Sequence, residues 1–145
     1  MVRMTDVTKV YESSGTVALD GVDLSINEGE FVFLVGPSGS GKTTIMKLIT
    51  GEIHASSGSI TVNDFDMMRI KRRKLPKMRR TLGVIFQDYR LIENMSVYDN
   101  VAFAMRVVGA SGKEISRRVP YVLELVGLEA VSYTHLRAHE TRSNL

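Results

Sequence analysis

The stretch GPSGSGKTT, residues 36–44, has the residue types and the spacing needed to grip a chain of phosphates. Its three glycines let the backbone turn sharply, so that successive N–H groups can point at phosphate oxygens. Lys42 can reach the β- and γ-phosphates, and the Thr43 hydroxyl can supply a ligand to Mg²⁺. The Thr44 hydroxyl is expected near the α-phosphate. The predicted nucleotide-binding residues of this loop are Gly36, Pro37, Ser38, Gly39, Ser40, Gly41, Lys42, Thr43 and Thr44.

The segments on either side of this loop are those that such a site requires. The apolar run at residues 31–35 predicts a buried strand, and residues 44–49 have the spacing of a helix. A helix that begins at the loop adds the positive end of its dipole to the site. The alternative is a glycine-rich turn with an ordinary solvated Lys42, and it explains fewer of these positions. The sequence therefore predicts a site for a nucleoside triphosphate with Mg²⁺.

Size and composition limit the remaining possibilities. The chain has 145 residues, so one domain is expected. It contains no cysteine, which excludes a disulfide framework and a cysteine-ligated metal site. The N-terminus lacks the apolar core of a signal peptide, and no window reaches the length that spans a bilayer. We therefore expect a cytoplasmic protein.

A run of positive charge extends from Lys71 to Arg80 and contains seven basic residues and no acid. The whole chain has a net charge of +3, so the rest of it carries an excess of four acids. Such a run could contact nucleic acid or anionic lipid headgroups, or it could be a solvated helix face. No aromatic residues are interleaved with the charges, which disfavours nucleic acid and makes the solvated face the simpler interpretation.

The remaining patterns predict an antiparallel start followed by strands that alternate with helices. Alternating stretches in residues 1–11 and 17–27 predict a β-hairpin or meander. A further strand is predicted at residues 60–62, continuing loosely toward Asp66, and a short apolar strand at residues 82–86. Strands that alternate with helices after this antiparallel start indicate an α/β domain with a mostly parallel central sheet.

Two capping boxes predict helices in the second half of the chain, one beginning at Ser96 and one at Ser111. Pro120 lies inside the second helix, where it predicts a kink or a break. Gly127 suits the left-handed position after the helix end. The residues expected on the buried face are Ile115, Val119, Val122, Leu123 and Val126.

Two further features, taken with the loop, resemble the ATP-binding-cassette (ABC) ATPases. Tyr11 resembles the aromatic residue that stacks on adenine in that family. Residues 84–88, VIFQD, resemble the Q-loop, which implies that Gln87 contacts Mg²⁺ or the attacking water. Without the loop, Tyr11 would be an ordinary strand tyrosine and Gln87 an ordinary loop residue.

Residues 1–44 and 82–109 are similar to the FtsE subfamily, the cell-division branch of the ABC ATPases. The resemblance covers residues 1–130 and implies a P-loop nucleoside triphosphatase fold, with an N-terminal antiparallel β-subdomain and an incomplete, truncated parallel core. It also implies ATP and Mg²⁺ as cofactors, a homodimer, an FtsX-like integral membrane partner and a position on the inner face of the plasma membrane. The alternatives are an ATPase subunit of a related lipoprotein or drug exporter, or a non-hydrolysing nucleotide-binding adaptor.

Beyond Ala130 the sequence departs from that family. Residues 131–145 contain neither the L-S-G-G-x-Q signature, nor an apolar strand ending in Asp-Glu, nor the switch histidine, and are interpreted as a disordered or foreign tail. Asp88 follows an apolar run, but the Q-loop interpretation explains its position better than a metal-binding role does. His135 and His139 are spaced for one helix face, but solvated histidines are the simpler interpretation. We therefore assign no catalytic residue and predict that this 145-residue chain binds ATP without hydrolysing it.

Overall fold

The computed structural model describes residues 1–88 and 90–134, which fall into two compact units. The first unit comprises Met1–Gly83, and the second begins at Val84. Each unit has its own cluster of buried apolar side chains.

The first unit is built on a four-stranded sheet in the order β2-β1-β3-β4, with every neighbouring pair antiparallel. Its elements are β1 (Val2–Tyr11), β2 (Thr16–Ile26), α1 (Lys42–Ile49), β3 (Ser57–Val62), β4 (Phe65–Asp66), a 3₁₀ turn (Arg72–Lys74) and α2 (Leu75–Arg79). The predicted hairpin at the start of the chain is confirmed by β1 and β2. The strand predicted to continue loosely toward Asp66 is instead a second hairpin, β3 and β4.

A bulge in β1 explains an irregular apolar spacing. Met4 and Val7 are both buried although they are three residues apart, which strict alternation would forbid. The pairing register shifts between these residues, and Asp6 between them has a φ of +50°. Its backbone N–H donates to Asp23 Oδ1 at 2.8 Å. The extra residue returns Val7 to the core face of the sheet.

Helix α1 contributes the other side of this core. Ile45 and Leu48 are buried and join residues of the sheet and of the segment around α2. The buried cluster consists of Met4, Val7, Leu19, Ile45, Leu48, Ile60, Val62, Met67 and Met78. The N-terminal end of α1 is thereby held at a fixed place relative to β1 and β2.

Two strand predictions are wrong. Residues 31–35 and 82–86 have no regular secondary structure, and in the first segment every side chain is exposed, including Phe31 at 83%. Ile85 in the second segment is fully exposed. An apolar run forms a buried strand only when neighbouring strands pair with its backbone groups. Within residues 1–88 and 90–134, all paired strands belong to the antiparallel sheet, and neither segment joins it. The mostly parallel central sheet that the sequence predicts is therefore not formed by these residues.

The second unit contains α3 (Val97–Val107), α4 (Gly112–Leu125) and a 3₁₀ turn (Glu129–Val131). Both predicted caps are confirmed. The Ser96 side chain accepts from the Asp99 backbone N–H, and Ser111 forms a reciprocal capping box with Glu114. The hydrogen bonds from the Ser111 hydroxyl and backbone N–H lower the pKa of Glu114 below its usual value of 4.5.

Helix α4 continues as an α-helix through Pro120, so the predicted break is absent. Val119 and Leu123, on either side of the proline, are buried in the cluster that holds α3 against α4, and this packing offsets the missing backbone hydrogen bond. Val126 was predicted to be buried but is exposed beyond the helix end. Gly127 adopts a φ of +72° as predicted, and the N–H groups of Gly127 and Leu128 bond to the carbonyls of Glu124 and Leu123.

The residues that follow the 3₁₀ turn at Glu129–Val131 contact α3. The backbone N–H of Tyr98 donates to the Ser132 carbonyl at 2.7 Å, and the Tyr98 and Tyr133 rings stack with centroids 5.7 Å apart. Ser132 is buried. These contacts satisfy donors at the start of α3. The other residues of the predicted tail, including His135 and His139, lie outside the described residues.

Candidate functional site

The loop at residues 36–41 joins the irregular segment before it to α1. Ser40 N–H donates to the Pro37 carbonyl at 3.3 Å and closes a tight turn. Gly39 lies inside this turn with a φ of +80°, which side chains other than glycine rarely adopt. The backbone therefore curves around a small space in front of α1.

Gly41 fixes the loop against the sheet. It has a φ of +88°, and a Cβ atom at this position would lie 2.7 Å from both the Ala18 carbonyl oxygen and Leu19 Cδ2. Only a residue without a side chain can bring the loop this close to β2. The Gly41 carbonyl then accepts the first hydrogen bond of α1, from Ile45 N–H at 2.9 Å.

Lys42 places its ammonium group at the centre of the loop. Nζ donates to the carbonyl oxygens of Gly36 and Pro37, each at 2.7 Å, and to Ser40 Oγ at 3.3 Å. The positive charge is therefore held by neutral oxygens of the loop itself. A phosphate oxygen attracts an ammonium group more strongly than a carbonyl does, because the hydrogen bond is then between two charged groups.

The N-terminus of α1 differs from those of α3 and α4. It has no side-chain cap and no acidic residue in its first turn, whereas Ser96 with Asp99 and Ser111 with Glu114 cap the other two helices. The first N–H groups of α1 and the positive end of its dipole are thus left without an anionic partner among the described residues. This arrangement suits an anion supplied from outside the chain.

Thr43 and Thr44 lie in the first turn with different environments. Thr43 is exposed, so its hydroxyl is available to a metal ion, whereas Thr44 is 7% exposed. Thr44 Oγ1 lies 3.4 Å from the Tyr11 hydroxyl at the end of β1. The structure therefore places the Tyr11 side chain beside the first turn of α1.

Lys9 is a neighbour of this site that the sequence analysis did not identify. Its Nζ lies 5.4 Å from the centre of the Tyr11 ring, within the range of a cation–π contact. The two residues are two apart on β1 and so share one face of the strand. That spacing was the signal that could have revealed Lys9.

The residues of the predicted Q-loop belong to the second unit. Gln87 is exposed. Asp88 Oδ1 lies 3.4 Å from Arg90 Nε, and the Arg90 guanidinium stacks 3.8 Å from the centre of the Phe86 ring. Among the residues that the structure describes, no cluster of three or more histidine, aspartate or glutamate side chains could hold a metal ion.

Residues 19–144 match the family model described as ABC transporter. This chain belongs to the ABC transporter family. The match includes the loop, α1 and the segment with Gln87 and Asp88. In the parts of the chain that the structure describes, none of the helices is long and apolar enough to cross a membrane.

Three curated relatives with similar sequences share one name. The chain is 48% identical over 128 residues to the cell division ATP-binding protein FtsE of Mycobacterium tuberculosis, covering 88% of this chain and 56% of that protein. The FtsE proteins of Escherichia coli K12 and Bacillus subtilis 168 are 45% and 43% identical over 128 and 129 residues. These two alignments cover 88% and 89% of this chain, and 57% and 56% of the respective relatives. The chain therefore spans little more than half the length of these relatives.

Solved structures agree with the sequence relationship. A dimeric ATP-binding cassette in a post-hydrolysis state bound to ADP and Pi has a TM-score of 0.82 and 31% identity, covering 93% of this chain and 61% of that one. The ATP-binding subunit of an ABC transporter has a TM-score of 0.80 and 25% identity, covering 93% and 54%. The predicted fold class, a P-loop nucleoside triphosphatase of the ABC type with an N-terminal antiparallel sheet, is confirmed.

Proposed function

We propose that this chain is the nucleotide-binding part of an ATP-binding subunit that acts in bacterial cell division. The observation that carries the proposal is the position of the Lys42 ammonium group, at the centre of a loop that leads into an uncapped helix. The names of the relatives favour cell division over lipoprotein or drug export.

The residues of the loop fit a polyphosphate. In the complex, Lys42 exchanges the Gly36 and Pro37 carbonyls for β- and γ-phosphate oxygens, which hold the ammonium group more strongly. The free N–H groups at the start of α1 donate to the same phosphates. Thr43 is the proposed protein ligand of Mg²⁺ in this unit, and the metal would neutralise part of the phosphate charge when bound.

The adenine ring is proposed to stack on Tyr11. The Tyr11 hydroxyl is within hydrogen-bond distance of Thr44, so its ring lies beside the residues that hold the phosphates. Stacking on an aromatic face requires no hydrogen bonds to the base edge. It would add to the affinity for ATP that the phosphate contacts provide.

We further propose that the 145-residue chain binds ATP without hydrolysing it. Hydrolysis requires a positioned group that orients water and accepts its proton. Asp88 is the acid that follows an apolar run, and its carboxylate is paired with Arg90 on the surface. This pairing gives Asp88 a partner within its own unit and does not support a role as a metal-binding acid.

The partner that best fits the relatives is an FtsX-like integral membrane protein on the inner face of the plasma membrane. A homodimer is the proposed assembled form. Support comes from the name that the relatives share and from the dimeric cassettes among the similar structures.

Calorimetric titration with Mg-ATP directly tests whether the loop binds the phosphates. Lys42→Ala removes the charge at the centre of the loop, whereas Lys47→Ala removes the same charge from the last turn of α1 and serves as the matched control. A charged hydrogen bond is worth about 1.5 to 3 kcal/mol, so Lys42→Ala should weaken binding by roughly tenfold to a hundredfold. Lys47→Ala should change the affinity by less than about threefold.

Equal ATP affinities for the parent and Lys42→Ala would contradict the proposal that this loop binds the phosphates. Phosphate release by the same proteins tests the second proposal separately. Turnover that is present in the parent and absent in Lys42→Ala would leave the ATP site intact but refute binding without hydrolysis.

A further inference from the structure

The basic segment, residues 71–80, has one side fixed in the first unit. Met78 is fully buried, and Leu75 packs against the same apolar cluster. Arg79 donates from Nε to the Thr50 carbonyl at 2.9 Å and from Nη2 to the Gly51 carbonyl at 3.0 Å. These carbonyls follow the end of α1, where a positive charge is favourable. The inward side of the segment is therefore anchored, and one of its seven charges is used internally.

The outward side of the basic segment carries three exposed positive charges. Arg73, Lys77 and Arg80 follow one another at spacings of four and three residues, which places them on one helical face, and all three are exposed. Met78 and Leu75 lie on the opposite face. In the part of the chain that the structure describes, none of the six basic side chains other than Arg79 forms an ion pair.

The charge of the sequence is unevenly distributed. Asp66, which lies upstream of the segment, is paired with Arg69 at 3.8 Å. The residues outside the segment carry an excess of four acids, so the sequence concentrates its positive charge in this segment. Such a face attracts an extended anionic partner at physiological ionic strength.

We propose that the face formed by Arg73, Lys77 and Arg80 docks on anionic phospholipid headgroups. Lysine and arginine near an anionic membrane surface each contribute enough attraction to change binding by about fivefold. The contact would hold the nucleotide-binding unit against the membrane independently of any protein partner.

Nucleic acid fits the same face less well. The segment contains no aromatic residue to stack on a base, and no asparagine or glutamine to read a base edge. The inference goes beyond ATP binding, because none of the three residues contacts the phosphate loop.

Co-sedimentation of the full chain with lipid vesicles tests the proposal. The vesicles contain phosphatidylcholine alone or phosphatidylcholine with phosphatidylglycerol. The parent should bind the anionic vesicles, and binding should weaken as salt is raised. The triple variant R73Q/K77Q/R80Q should bind them on the order of 100-fold more weakly, and each single variant about fivefold more weakly.

The variant K113Q/R117Q/R118Q is the matched control, because it removes the same charge from exposed positions on α4. It should bind anionic vesicles within about threefold of the parent if the effect belongs to the basic face rather than to net charge. An equal loss in both triple variants, or no binding by the parent, would overturn the proposal. Duplex DNA that competes with the vesicles at equal phosphate concentration would assign the face to nucleic acid instead. Mg-ATP titration of R73Q/K77Q/R80Q should match the parent, so either result leaves the ATP assignment unaffected.

Discussion

Replacing Gly41 with alanine should destabilise the unit that carries the phosphate loop by about 2 to 5 kcal/mol. Two costs add at this position. The φ of +88° forces alanine into a left-handed conformation, which costs about 1 to 2 kcal/mol. The new Cβ would also lie 2.7 Å from the Ala18 carbonyl oxygen and Leu19 Cδ2, and relieving such an overlap costs about 1 to 3 kcal/mol.

Gly39 offers a control that separates the two costs. Its φ of +80° is nearly the same, but a Cβ atom there would have no neighbour within 4 Å. Gly39→Ala should therefore show only the backbone cost, about 1 to 2 kcal/mol. The difference between the two variants measures how closely the loop approaches β2.

Urea unfolding followed by far-ultraviolet circular dichroism gives the free energy of unfolding of each variant. Gly41→Ala should unfold at a distinctly lower urea concentration than Gly39→Ala, with a similar slope. Equal midpoints for the two variants would refute the reasoning, because the contact between Gly41 and β2 would then contribute nothing. If both variants unfolded at the same urea concentration as the parent, the left-handed backbone conformation at Gly39 and Gly41 would also be contradicted.

Three further predictions concern the site and α4. Tyr11→Ala should weaken Mg-ATP binding by about 1 to 3 kcal/mol in a calorimetric titration, whereas Tyr11→Phe, which keeps the ring, should lose no more than about 1 kcal/mol. Glu114→Ala should lower the urea midpoint at neutral pH. Because the pKa of Glu114 is lowered in the folded state, its contribution is present above pH 4.5 and is lost as the pH falls through the folded value, so the two midpoints should converge in acid. Pro120→Ala should raise the free energy of unfolding by up to about 3 kcal/mol, because it restores a backbone donor inside α4.

Each of these has a result that would contradict it. Equal losses for Tyr11→Phe and Tyr11→Ala would show that the hydroxyl, rather than the ring, contributes to binding. A difference between the parent and Glu114→Ala that stays constant into acid would mean that the carboxylate charge does not contribute to the cap. A lower midpoint for Pro120→Ala would show that the proline ring makes packing contacts that alanine cannot replace.

Features that depend on a few neighbouring residues could be predicted from the sequence. The phosphate loop, the two serine caps and Gly127 are all defined by local spacing and by the backbone conformations that glycine and serine favour. Their geometry is set within one or two turns of chain. The role of Tyr11 as the residue that stacks on adenine came from a family resemblance rather than from the spacing of residues, and it stays a prediction.

Features that depend on contacts between residues far apart in the sequence could not be predicted from local spacing. Residues 31–35 have the composition of a buried strand, yet composition does not supply the neighbouring strands that a buried strand requires. The burial of Val7 depends on a bulge at Asp6, and the Asp23 side chain that bonds to this bulge comes from another strand. The role of Arg79 likewise depends on α1 and α2 meeting, which the basic run itself does not reveal.

The two ends of α1 have different roles: the C-terminal end contributes to stability, and the N-terminal end is the proposed binding end. At its C-terminal end, the Arg79 guanidinium satisfies the carbonyls of Thr50 and Gly51, and Leu48 is buried in the core. At its N-terminal end, no side chain caps the helix, and Lys42 adds a positive charge to the positive end of the dipole. A helix with both ends satisfied internally would be more stable, but it would leave no donors for a phosphate. Anchoring one end through packing and Arg79 allows the other end to remain available, so the stability of α1 and its capacity to bind an anion rest on different residues.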